Sequence, residues 1–252
     1  MIEHNRSFRK VPKLKTENKE LTVFVILALL ATCIYYGPSA NNFFAYDDFK
    51  YLENFSGNFV NVLFGYNTLR VVSNLTWWPL YHFSGLDPRG YAWFGILLNA
   101  TNAVLLYLFL SQLSKEKLFA FLAGLFFVFN SVGADAVLWK ATNSSLINLF
   151  FYLSTLNAYL YFRRESSKWA FAVALACYLL ATFSKEEAAS LPFILVLIEL
   201  IFLEGWRDKK GVALRVAPFA AMVPVYLFSN WLVFNHLLQA NVNGSVKVYQ
   251  LR

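Results

Sequence analysis

Apolar residues run along this chain in seven blocks separated by short polar breaks, at about 21–37, 91–113, 118–133, 144–162, 168–184, 187–204 and 212–236. A helix needs roughly 20 apolar residues to cross a hydrocarbon core ~30 Å thick. In that core only a structure that pairs its own backbone groups survives. The pattern predicts an all-α integral membrane protein of about seven transmembrane helices. The stretch 38–90 breaks the rhythm. It is long, yet too apolar for a free loop, and Val71–Phe83 has an amphipathic look. It reads as one or two helices lying in the membrane interface, with Trp77, Trp78 and Tyr81 as anchors and Pro79 kinking or splitting them.

Composition strengthens this reading. Of 252 residues, 58% are hydrophobic and 15% charged, against about a quarter charged in an ordinary soluble domain. The 26 Phe and 14 Tyr suit lipid-facing bulk and interfacial belts. The net charge of +7 does not mark a nucleic-acid binder, because of where it falls. With the N-terminus inside, fifteen of the 22 Lys/Arg lie on the cytoplasmic side: six in the first 20 residues, then Lys115 and Lys117, Arg163, Arg164 and Lys168, and Arg207, Lys209, Lys210 and Arg215. The other seven, Lys50, Arg70, Arg89, Lys140, Lys185, Lys247 and Arg252, lie outside. The bias predicts N-in, C-out in the plasma (inner) membrane. The organisation that follows is a basic tail at 1–20, one membrane domain at 21–236 whose external loop is 38–90, and an external tail at 237–252. The two cysteines, Cys33 and Cys177, sit inside apolar blocks, so neither a disulfide framework nor a Cys-ligated metal is expected.

This topology gathers polar residues at the outer face. Adjacent carboxylates, Asp47 and Asp48, follow the first span. Arg70 and His82 lie in the interfacial stretch, Asp135 and Lys140 between spans three and four, and Lys185, Glu186 and Glu187 between spans five and six. Acids near a bilayer are costly and mark functional positions. Paired carboxylates suit general-base work, one acting and one orienting, or a shared divalent cation such as Mg or Mn. Phe43, Phe44, Tyr46 and Phe49 offer the pair an apolar surround. Several residues also have local roles: Ser184 and Glu187 fit a capping box, and Asp135 fits a cap of a helix at 136–141. No phosphate-binding glycine loop, HExxH, GxSxG or CxxC is present.

Specific stretches carry a family resemblance. They are Tyr46-Asp-Asp-Phe-Lys-Tyr-Leu-Glu-Asn54, Gly85-Leu-Asp-Pro-Arg-Gly-Tyr91, Leu97-Leu-Asn-Ala-Thr-Asn102, Ala134-Asp-Ala-Val-Leu-Trp139 and Ser184-Lys-Glu-Glu187. In this order and spacing the chain resembles the C-type glycosyltransferase superfamily, in its protein O-mannosyltransferase-like branch. The resemblance covers about 21–235. It implies a sugar carried on a polyprenyl or dolichyl phosphate and transferred at the outer face to an acceptor protein or glycan. It also implies that Asp47 and Asp48 are the family's acidic pair and Lys185-Glu186 its Lys-Glu pair. The expected function is inverting transfer, with Asp47 as base and Arg70, Lys185, Glu186, His82, Asp135 and Lys140 at the substrate. Two departures stand out. Asn130-Ser-Val-Gly-Ala-Asp135 replaces a His-Pro-x-His-x-Glu pattern, and there are fewer spans than relatives carry, which points to an N-terminal half completed by a second polypeptide. The alternatives are a non-catalytic membrane partner retaining the fold and, more distantly, a transporter.

Overall fold

The computed structural model describes residues 18–56, 59–64, 69–114, 116–130, 133–203 and 205–233. The basic tail at 1–17 and the tail at 237–252 lie outside the described residues. All regular elements among the described residues are helical. In chain order they are α1 (Asn18–Tyr36), α2 (Asp47–Ser56), α3 (Phe59–Phe64), α4 (Val71–Ser84), α5 (Pro88–Leu113), α6 (Lys117–Phe129), α7 (Ala134–Leu138), α8 (Asn143–Glu165), α9 (Lys168–Thr182), α10 (Leu191–Ile201) and α11 (Lys209–Leu232). Short 3₁₀ turns at Gly37–Asn41, Lys140–Thr142, Glu186–Ser190 and Gly205–Arg207 join them.

Each apolar block contains a helix, but among the described residues three segments are long and apolar enough to cross a membrane: Lys19–Asn41, Pro88–Leu113 and Lys209–Leu232. The others fall short for different reasons. At 1.5 Å per residue, the 13 residues of α6 and 15 of α9 reach only ~20 Å. Block 187–204 spends its first residues in the 3₁₀ turn, which leaves α10 with 11 residues. α8 has 23 residues but is too polar.

The polarity of α8 is put to use in packing. It lies against both α5 and α9, and its amides stitch them together. Asn143 donates to the Tyr91 carbonyl, Asn157 to that of Leu105, and Asn148 to that of Ala181. From α5, Asn102 donates to the Leu146 carbonyl and Gln112 to Asn157 Oδ1. Between apolar helices in lipid there is little hydrophobic drive, so such bonds and close packing hold the bundle. Close packing governs α1 and α6. A Cβ on Gly124 would come within 2.5 Å of Phe24 Cζ, and the Phe24 ring is fully buried and stacked on Tyr107 at 4.4 Å. Gly124→Ala should therefore destabilise the fold by about 1–3 kcal/mol, read as a lower melting temperature in detergent. An unchanged melt would show that Phe24 can move.

The stretch expected to lie in the interface is indeed helical, as α2, α3 and α4. Its anchoring differs from expectation. Trp77 is 1% exposed and sits in an aromatic core, 5.3 Å from Tyr51 and 4.9 Å from Tyr91. Trp78 and Tyr81 are the more accessible rings. Pro79 does not split the region, since α4 runs through it from Val71 to Ser84. The lost N–H leaves one carbonyl without its helical donor, which a 14-residue helix packed on α5 tolerates.

At the end of the bundle opposite Asp47 lies an element the sequence pattern conceals. Glu199, on α10, has no solvent exposure. Arg163 of α8 approaches its carboxylate to 2.7 Å, Arg215 of α11 donates to both oxygens at 3.1 Å, and Tyr159 donates at 2.7 Å. One buried carboxylate thus joins three helices.

Candidate functional site

The expected polar residues do meet at one end of the bundle, in pairings different from those expected. The Arg70 guanidinium faces Glu186, with Nη2 donating to Oε1 at 2.7 Å and Nε to Oε2 at 3.2 Å. This is the planar two-point geometry of an arginine–carboxylate pair. Burial alone would raise the Glu186 pKa, but the hydrogen bonds and charge of Arg70 outweigh it and hold it below the usual range. Tyr51, from α2, lies within electrostatic reach of Arg70, Asp47 and Glu186 together, and burial pushes its hydroxyl pKa up. Segments near residues 47–51, 70 and 186 therefore converge on one point. Backbone bonds brace it: Val72 N donates to the Phe183 carbonyl and Ser73 Oγ to the Ser184 carbonyl.

Lys185 is not held by Glu186. Its Nζ donates to Ser145 Oγ at 2.7 Å and pairs with Glu187 at 2.6 Å. Successive residues of an extended backbone point to opposite sides, and Lys185 has φ −161 and ψ 145. Glu186 therefore turns to Arg70 while Lys185 turns to α8. The capping box does not form, because Ser184 Oγ bonds back to the Leu180 carbonyl at 2.7 Å and Glu187 is engaged with Lys185.

The two adjacent aspartates have separate surroundings. Asp47 keeps 41% of its side chain exposed and pairs with Lys50 at 3.0 Å. Asp48 is 1% exposed. Its Oδ2 accepts Ala45 N–H at 2.9 Å and its Oδ1 accepts Ala141 N–H. Beside it Lys140, also 1% exposed, donates to the Asn42 carbonyl at 2.6 Å, and Trp139 Nε1 donates to that of Ala45. Asp48 and Lys140 thus fasten the 42–48 loop to the 139–141 turn. Desolvation, expected at Asp47, acts on Asp48. Burial raises the Asp48 pKa against its two backbone hydrogen bonds, and burial lowers that of Lys140. The expected aromatic surround is open: Phe43, Tyr46 and Phe49 are exposed and Phe44 alone is buried.

A pH dependence follows from Asp48. An acid whose pKa is raised on folding costs stability when ionised. Stability from this group therefore rises as pH falls from its folded pKa toward the ordinary value of 3.8. Asp48→Asn should flatten that part of the melting-temperature profile at mildly acidic pH. Parallel profiles for wild type and variant would disprove the assignment.

His82 and Asp135 take no part in the convergence. His82 Nδ1 bonds the Trp78 carbonyl at 2.9 Å on an exposed face, and the ring lies 4.5 Å from that of Trp78. Asp135 lies inside α7 and is exposed. Its side chain caps nothing, since the helix begins one residue earlier, at Ala134. Among the described residues no group of three or more His, Cys, Asp or Glu side chains is placed to hold a metal ion. Each Asp48 oxygen accepts one backbone N–H, and Asp47 pairs with Lys50.

On the far side of Lys185 is a crevice of about 300 Å³, lined among others by Asn99, Ser145, Asn148, Tyr152 and Glu187. Single polar residues inside apolar blocks carry no spacing signal, so Asn148 and Ser145 are invisible in the sequence, as is Tyr51.

No protein-family model, curated protein or solved structure matches this chain. The chemistry above is what bears on function.

Proposed function

We propose that the protein is an integral membrane glycosyltransferase of C-type character. It would move a sugar from a polyprenyl-phosphate donor to an acceptor hydroxyl at the outer face. The observation that carries this is the convergence of Asp47, Tyr51, Arg70 and Glu186 from three distant segments at one end of an apolar helical bundle. Of the adjacent aspartates Asp47 is the accessible one, suited to take the acceptor's proton as its oxygen attacks the anomeric carbon. The bond to the lipid phosphate breaks on the opposite face, so the carbon inverts. Charge then grows on the leaving phosphate, where Arg70 stabilises it. Arginine has five N–H donors in a fork, and Glu186 engages Nε and Nη2, which orients the rest. Asp48 and Lys140 position the Asp47 loop. A divalent cation is not needed for this scheme. A second polypeptide supplying further spans belongs to the same reading.

The reading includes seven membrane passes with the N-terminus cytoplasmic, supported by the fifteen-to-seven charge split. Reporter fusions after positions 60, 140 and 245 should read external, and those after 115, 165 and 209 cytoplasmic. A cytoplasmic reading at 60 would put Asp47 on the wrong side and end the proposal. The direct test is incubation of membranes containing the protein with labelled polyprenyl-phosphate hexoses. Labelled protein or glycan product is expected, and its loss in Arg70→Lys is expected too, since an ammonium has no fork. No product from any donor would favour a non-catalytic membrane partner with the same fold.

A further inference from the structure

The crevice beside Lys185 has features that the ion-pair site does not need. Asn99 of α5 is 3% exposed, and its Nδ2 is buried without a hydrogen-bond partner among the described residues. A buried donor left unpaired is costly, and this one lines the crevice. Across from it, both Nδ2 hydrogens of Asn148 are committed, to the Ala181 and Lys185 carbonyls at 2.9 Å each. That fixes the amide and directs its oxygen the other way. Ser145 Oγ accepts from Lys185, which leaves its own hydroxyl proton to donate. Tyr152 OH shares a hydrogen bond with Ser190 Oγ at 3.3 Å near the rim. Tyr36 adds an aromatic wall.

We infer that this crevice seats one neutral, hydroxyl-rich ring, with Asn99, Ser145 and Asn148 as its polar contacts. The lining combines the amides of Asn99 and Asn148 and the hydroxyl of Ser145 with the rings of Tyr36, Phe127 and Tyr152, which matches a ring bearing hydroxyls on its edge and C–H groups on its flat sides. Neutrality follows from the charges. Lys185 and Glu187 cancel each other at 2.6 Å, while the cation suited to phosphate, Arg70, lies on the other side of the 185–187 backbone. The volume of about 300 Å³ is at the lower edge of small-molecule sites and is enough for one ring. The inference deepens the transferase reading by seating the sugar, but binding needs no transfer, so the two fail separately.

The test uses the full chain in detergent with tritiated methyl hexopyranosides and a polyprenyl-phosphate hexose as probes, scored by equilibrium binding. Saturable binding of at least one methyl hexoside is expected. Asn99→Leu should weaken it roughly tenfold or more, while Arg89→Gln, at an exposed residue outside the crevice, should leave it unchanged. Asn99→Leu removes an unsatisfied group, so its melting temperature should hold or rise. Ser145→Ala provides a second variant should leucine disturb the helix. If the polyprenyl-phosphate hexose competes for the same Asn99-dependent site, the ring belongs to the donor. If it does not compete, the ring belongs to the acceptor. Absence of saturable binding for every probe, or binding indifferent to both Asn99→Leu and Ser145→Ala, would overturn the inference and leave the crevice to water.

Discussion

Glu199→Ala should lower stability by about 3–5 kcal/mol, because it strands Arg163 in the bundle and leaves Arg215 only Asp208 at 3.6 Å. The carboxylate is fully buried, and Arg163, Arg215 and Tyr159 all point at it. Removing one partner of a buried ion network forfeits the attraction but keeps the desolvation cost of the charges that remain. The loss should appear as a large fall in melting temperature in detergent, with separation of α10 and α11 from α8. Replacing the whole set, as Glu199→Leu with Arg163→Met and Arg215→Met, should restore much of the loss, since apolar groups of similar volume often substitute well for buried ion pairs. A Glu199→Ala variant that melts like wild type would show that the arginines find lipid headgroups or water instead, and that the network does not hold these helices together.

On the proposed transferase reading, Asp47→Asn should reduce sugar transfer by about 10²–10⁴-fold, the usual cost of losing a general base, while insertion and melting temperature stay near wild type. The expectation is specific to Asp47 because the structure separates the two carboxylates. Asp47 is accessible and lies within electrostatic reach of Tyr51. Asp48 is consumed by backbone N–H groups, so Asp48→Ala should act first on folding, by leaving two buried donors unpaired. An active Asp47→Asn variant would remove the base from the mechanism. If Asp48→Asn alone abolished transfer in a fully folded protein, the roles given to the two residues would have to be exchanged.

The sequence by itself determined that the chain is helical and membrane-suited, and that one stretch, 38–90, differs from the rest. Helix formation in an apolar block follows from the need of every backbone group for a partner, and that need is local. It also singled out Arg70, Asp47, Lys185 and Glu186, because charges in an apolar chain are few. How far each helix runs was less legible. α8 reads as a span by apolar content, yet its asparagines are spent on α5 and α9, and α10 loses a turn and a half to the 3₁₀ segment before it.

Only the tertiary structure decided the partnerships. Asp47 and Asp48 are neighbours in sequence, but consecutive residues at a helix start point in different directions, so one faces solvent and the other the 139–141 turn. Lys185 and Glu186 are likewise separated by an extended backbone, which sends the glutamate to Arg70 and the lysine to Ser145. Glu199 is a lone acid within an apolar block, and only the fold brings Arg163 of α8 and Arg215 of α11 to it. Asn99 acquires meaning only beside a cavity. In each case the energy of a polar group depends on what surrounds it in three dimensions, through desolvation and hydrogen-bond geometry, and residue type and spacing do not encode those surroundings.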